Sequence, residues 1–167
     1  MSLLKACLEL LLTRRSIRKY EDREIPLDLV YKILEIARYA PSAKNRQPWR
    51  FIVIKSPELR QKLSGIHRGA KPLAKAPLGI LVVCDAEEAP DSYQVDCANA
   101  SMYIMLAAHA PGVGTVWIQA LRDQEAIQGI LGLPSRLKPV ALIAMGWPAE
   151  HPEPKPRKTL EELVKIL

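Results

Sequence analysis

The chain has 167 residues, 49% hydrophobic and 25% charged, with a formal charge of +6. This is the composition of one folded domain with a sizeable core, and it excludes a disordered chain. The Lys and Arg residues are scattered rather than interleaved with aromatics. Zinc-finger spacing and a Gly-rich phosphate loop are also missing, so the charge points to a basic surface with an anion site and not to nucleic acid.

Leu3, Leu4, Cys7, Leu8, Leu11 and Leu12 recur at helical spacing and predict a first helix from about Ser2 to Arg14. Lys5 and Glu9 interrupt that apolar run, which is too short to span a bilayer, and no signal peptide is visible. A cytoplasmic protein without membrane contact is expected. Directly after the run comes Arg14-Arg15-Ser16-Ile17-Arg18. Cations at a helix end complement the negative end of its dipole. Three guanidiniums with a hydroxyl among them go further, because Arg presents a planar fork of donors that matches phosphate oxygens bidentately.

Pro26 and Asp28 open a second helix whose apolar face is Leu29, Val30, Ile33, Leu34, Ala37 and Ala40, ended by Pro41. The Pro-bounded segment Pro41 to Trp49 then sets Ser42, Asn45 and Gln47, side chains that donate and accept, in a loop that a scaffold can hold rigid. Trp49 to Lys55 reads as a strand. Ser56-Pro57-Glu58 is an N-cap with Pro at the first helical position, starting a short helix to about Ile66. Residues His67 to Ala76 read as a basic loop. Pro77 to Cys84 is a continuous apolar run of strand length, suited to a sheet covered on both faces.

The longest helix is expected from Tyr93 to Ala110, where Ala98, Ala100, Ser101, Ala107 and Ala108 let another backbone approach closely. Pro111 to Gly114 turns into a strand at Thr115 to Ile118. Asp123 caps a helix through Leu131, stopped by Gly132. Pro139 to Trp147 is the last core strand. A proline-rich extended tail from Pro148 to Pro156 leads to a terminal helix from Thr159. Cys7, Cys84 and Cys97 lack CxxC spacing and are expected to be buried thiols in a reducing cytosol. His67, His109 and His151 lie far apart and form no metal-ligand pattern, so no metal is expected.

These elements form one domain over 1–167 of the α+β (mixed α/β) class. The expected architecture is a three-layer α/β/α sandwich on a mixed central sheet of about four or five strands. Two helices in succession at the start argue against a doubly wound repeat.

Four segments in order resemble the nitroreductase family of FMN-dependent oxidoreductases, across nearly the whole chain. They are Arg14 to Arg18; Ala40-Pro41-Ser42 through Asn45, Gln47, Pro48 and Trp49; Gly112-Val113-Gly114 before Trp117-Ile118; and Gly146-Trp147-Pro148 with Lys155-Pro156-Arg157. The resemblance implies a homodimer with FMN at the subunit interface, contacted by both chains. Arg14 and Arg157 would bind the phosphate, assisted by Lys155, with Arg15 and Ser16 at the ribityl-phosphate region. Arg18 would face N1 and O2 of the ring. Pro41, Ser42 and Asn45, with Gln47 in the same loop, would come from the other subunit. Gln119 and Ala120 would pass their backbone near N5.

The implied activity is ping-pong hydride transfer from NADH or NADPH, through FMN, to a small electron-poor acceptor such as a nitroaromatic or quinone. Two alternatives stand beside it. One is an FMN-binding or storage module without turnover. The other is a different activity of the same superfamily, of flavin-destructase or dehalogenase type, although the additional lid segments usual in those are not found. The chain departs from the family pattern in Ala120, where many relatives have Gly, and Gln119, where some have Glu. Little sequence lies between Ile118 and Asp123 to cover the ring, and Lys71 and Lys75 are further candidates for cofactor contact.

Overall fold

The computed structural model describes residues 3–167; Ser2, at the expected start of the first helix, lies outside the described residues. In chain order the elements are α1 (Leu3–Thr13), α2 (Leu27–Ala37), β1 (Trp49–Ile54), α3 (Pro57–Ser64), α4 (Pro72–Lys75), β2 (Leu78–Asp85), α5 (Tyr93–His109), β3 (Gly114–Gln119), α6 (Gln124–Leu131), β4 (Leu137–Gly146) and α7 (Leu160–Leu163). Single 3₁₀ turns lie at Ala43–Asn45 and Arg68–Ala70.

The strands form one sheet in the order β1-β2-β4-β3, antiparallel at every pairing. Among the described residues, the parallel component expected of a mixed sheet is a single bridge from Ser16, outside the four strands, to Thr115 of β3. Side chains alternate across the two faces. Ile80, Val82 and Cys84 of β2 join Ile143 and Met145 of β4 under α2 and α5, where Val30, Ile33, Ala100 and Ile104 meet them. Leu81 and Val83 join Val116, Ile118, Leu142 and Ala144 on the opposite face, covered by Leu63 of α3, Leu73 of α4 and Ile127 of α6. Both faces of β2 are therefore dry, and all its residues are buried. The continuous apolar run at 77–84 has that physical origin.

Between Val82 and Val83 the register with β4 slips by one residue. Val140 and Ala141 thereby face the same core cluster.

Local signals act as their chemistry predicts. Ser56 Oγ accepts the N–H of Leu59 at 3.2 Å, with Pro57 in the first turn of α3. Gly132 ends α6 at φ 64°. Thr159 and Glu162 form a reciprocal capping box on α7. Asp123 stands at the N-terminus of α6 without a side-chain cap bond.

Two expectations are corrected. The segment at 67–76 is not an open loop but the 3₁₀ turn followed by α4, whose Leu73 is fully buried. Ala70, Leu73 and Ala76, spaced three apart amid Lys and Arg, are too short a run to read as a helix, yet all three are buried and pin the segment to the sheet. The cysteines are not three buried thiols. Cys84, at the end of β2, faces Cys97 on α5 with Cα atoms 6.1 Å apart, and the two form a disulfide; Cys7 is exposed. That spacing is within disulfide reach, and the bond removes the cysteine argument for a reducing compartment.

Candidate functional site

After α1 the chain turns and runs beside β3. Ile17 donates its N–H to the Thr115 carbonyl at 2.9 Å. The approach is close because Gly114 lacks a side chain: a Cβ there would stand 2.8 Å from Ile17. Gly146, paired opposite on β4, leaves room for Tyr20 in the same way. The Tyr20 hydroxyl lies 2.6 Å from the Ile17 carbonyl and 3.2 Å from that of Ala144. Burial, with Glu150 nearby, pushes this phenol above its usual range, so it remains a donor.

The proline-rich tail returns across the same surface. Ala149 donates to the Lys19 carbonyl at 3.0 Å, and the Glu150 carboxylate accepts the backbone N–H groups of Arg18 and Lys19. The tail thereby brings residues from the far end of the chain to the arginine segment. Arg14, Arg15, Ser16, Arg18, Lys155 and Arg157, with Pro152 and Glu153, line one small cavity of about 130 Å³.

Cations outnumber carboxylates in this cavity, with Glu153 the acidic residue among five Arg and Lys side chains. Burial, then the charges of Arg15 and Arg157, hold the Arg14 guanidinium below its usual range. Arg14 Nη1 is buried and has no hydrogen-bond partner. A buried charged donor left unmade is costly, and an anion carrying several acceptor oxygens would satisfy it and screen the three guanidiniums together. Arg15 also has a structural task, since its Nη1 donates to the Leu12 carbonyl at 2.7 Å at the end of α1. Arg18, Lys155 and Arg157 are exposed.

Pro41, Ser42, Asn45 and Gln47 are not brought to this cavity. Their loop packs on the N-terminal half of α5: Asp96 Oδ1 accepts the N–H of Ala43 at 2.9 Å, and Asn99 donates to the Pro41 carbonyl at 3.1 Å. Ser42 Oγ accepts the N–H of Gln47 at 3.0 Å, while Lys44, Asn45 and Gln47 all hold positive φ. Three non-glycine residues in that region within four positions mark a loop whose shape is imposed by its surroundings. The arginine cavity lies near the other end of α5, where His109 Nε2 is 3.0 Å from Thr13 Oγ1. At 1.5 Å rise per residue, Asp96 and His109 are separated by roughly 20 Å along the helix.

Gln119 ends β3 and Ala120 follows it, and both carbonyls are held: Gln119 by His67 Nε2 at 2.9 Å, Ala120 by the N–H of Asp123 at 3.1 Å. Glu150, Asp96, Asn99 and His67 are thus supporting residues that sequence reasoning did not find. Only spatial contact distinguishes them, and their sequence neighbourhoods carry no signal. Among the described residues, no cluster of three or more His, Cys, Asp or Glu is placed to hold a metal ion, and no helix is long and apolar enough to cross a membrane.

The sequence pattern of the Nitroreductase family matches this chain in two overlapping segments, residues 11–92 and 68–147. A relative in Methanothermobacter thermautotrophicus, provisionally named NADH dehydrogenase/NAD(P)H nitroreductase, is 42% identical over 87% of this chain and 78% of its own. An FMN-dependent nitroreductase of Clostridium difficile superposes with a TM-score of 0.85 at 33% identity, covering 95% of this chain and 98% of its own. A provisionally named nitroreductase of Desulfovibrio desulfuricans, solved in complex with FMN, gives 0.86 at 33% identity and 96% of each chain. More distant relatives carry other names. A 5,6-dimethylbenzimidazole synthase of Rhodospirillum rubrum is 28% identical over 85% of this chain and 82% of its own, and an iodotyrosine deiodinase of Thermotoga neapolitana 26% over 96% and 97%.

Proposed function

Since this chain belongs to the nitroreductase family, we propose that it is an FMN-dependent oxidoreductase acting as a homodimer. In this reading NADH or NADPH is the donor and a small electron-poor molecule the acceptor. One observation carries the reading: cations from both ends of the chain converge on one cavity, and the buried Arg14 Nη1 there lacks a partner. The residues fit a phosphate dianion, which needs charge-assisted donors from several directions.

FMN, when bound, supplies the hydride chemistry by accepting from the nicotinamide and passing to the acceptor. This chain's own residues bind and orient. Arg14 and Arg157, with Lys155, grip the phosphate, and Arg15 and Ser16 hold the adjoining chain. Arg18, exposed on the same cavity, would place positive charge near the ring of the bound flavin. The Gln119–Ala120 backbone, with the Ala120 carbonyl held by Asp123, would lie beside the ring and orient it.

A second copy completes the site. The loop with Pro41, Ser42, Asn45 and Gln47 lies too far along α5 to reach the cavity of its own chain, so the partner's copy supplies it. Apolar surface supports this pairing. Leu4, Leu8, Leu11 and Leu12 on α1, and Leu160, Leu163, Val164, Ile166 and Leu167 at the C-terminal end, are exposed. Exposed leucines repeated along one helix are the kind of apolar surface that marks an interaction face. Steady-state oxidation of NADH with a quinone acceptor tests the activity. Turnover that depends on added FMN supports the reading, and a flavin-loaded protein that oxidises neither NADH nor NADPH overturns it.

A further inference from the structure

The imidazole of His67 has its tautomer fixed by two backbone groups. Nδ1 accepts the N–H of Gly69 at 3.0 Å, so that nitrogen carries the lone pair. The proton therefore sits on Nε2, which donates to the Gln119 carbonyl at 2.9 Å. Asp123 Oδ2 lies 3.8 Å from the same Nε2, on the side that favours a donor. The ring is held in place as well. Ala70 donates to the His67 carbonyl at 3.0 Å, and a Cβ at Gly69 would stand 3.0 Å from the ring.

The placement of this bond is informative. β3 is an edge strand, and its Thr115 carbonyl is taken by Ile17. Gln119, four residues on, presents its carbonyl to the same edge, beyond the point where the arginine segment has left the sheet. His67 takes up the pairing there. In a planar trans peptide the carbonyl and the following N–H are conjugated, so a donor at the Gln119 oxygen strengthens the Ala120 N–H as a donor.

We propose that His67 is a positioning residue for the redox reaction: through the Gln119 carbonyl it orients and polarises the Gln119–Ala120 peptide that faces the flavin. The inference rests on the flavin reading above. It assigns a role to a residue outside the cofactor cavity and remote from it in sequence. In this role the imidazole acts as a fixed hydrogen-bond donor through Nε2.

The test uses the full-length protein and three variants, with FMN and NADH as probes. In apo His67→Phe, which keeps a ring but no donor, the Ala120 amide proton should move upfield in an ¹H–¹⁵N spectrum. FMN-loaded His67→Phe should show flavin reduction by NADH slowed about tenfold in stopped flow, with FMN affinity within about threefold of wild type. His67→Asn is polar but too short to reach Gln119, and it should behave the same way, so the result does not depend on tolerance of a phenyl ring. His67→Gln restores an amide donor and should recover most of the rate. A wild-type Ala120 shift, or wild-type reduction kinetics, in both donor-less variants overturns the proposal. Failure of the flavin reading itself appears separately, as wild-type protein that takes up no FMN in titration.

Discussion

The Glu150 carboxylate accepts the backbone N–H of Arg18 at 2.5 Å, joining positions 132 residues apart. A second bond, from the N–H of Lys19 at 3.1 Å, makes the carboxylate a two-donor clamp. The clamp explains how a proline-rich tail with little regular structure delivers Lys155 and Arg157 to the arginine segment. Hydrogen bonds to charged groups are worth about 1.5–3 kcal/mol each. Glu150→Ala should therefore lower both thermal stability and FMN retention, whereas Glu150→Gln, still an acceptor, should lower them less. Equal FMN affinity in wild type and Glu150→Ala would show that the tail is held some other way.

Arg14 and Arg157 come from opposite ends of the chain and line one cavity. Replacing either with Ala should weaken FMN binding by about one to two decades, the worth of one charge-assisted contact. Fluorescence titration of the apo protein measures this, and unchanged affinity in both variants would remove the phosphate assignment.

Arg18 should act on the ring rather than on the phosphate. Arg18→Gln keeps donors but removes the charge proposed to stabilise negative charge at the N1–O2 edge. FMN affinity should stay near that of wild type, and the midpoint potential should become more negative. Coincident midpoints in a potentiometric titration would place Arg18 away from the ring.

Much of this arrangement can be read from the chain. The 77–84 run, Ser56-Pro57 and Gly132 each carry a local cause for the element they form or end, and the Arg14 to Arg18 segment carries its chemistry on its face. Contacts between distant positions are not readable in that way. Cys84 and Cys97 meet because a strand end lies under a helix, and His67 reaches Gln119 across 52 positions. The α1 leucines show a further limit: their spacing reveals a helix but not which face a single chain leaves uncovered.

The Cys84–Cys97 bond closes a short loop between β2 and α5. In the chain-entropy account, a loop of this length contributes roughly 3 kcal/mol. A Cys84→Ser/Cys97→Ser protein should unfold at distinctly lower denaturant than the oxidised wild type. Identical midpoints for wild type with and without reductant would contradict the contribution.

His109 supplies a pH dependence. Burial, then Arg14 and Arg15, hold its imidazole below the usual histidine range. Between the folded value and about pH 6.5 the unfolded chain binds the extra proton, so stability rises with pH there and falls on acidification. Apo protein should lose thermal stability on going below about pH 6.5, and His109→Asn should lose less over the same interval. An equal loss in both would assign the dependence to other groups.

In the proposed reading the cavity between Arg14 and Arg157 seats the phosphate of FMN. The absorption spectrum of the purified protein, followed by titration of the apo form with FMN, tests it most directly. Visible flavin bands, saturable uptake of one FMN per chain, and loss of that uptake in an Arg14→Ala/Arg157→Ala double variant are expected. A colourless protein that takes up no FMN, or a double variant that binds it as wild type does, would rule out FMN binding through these arginines.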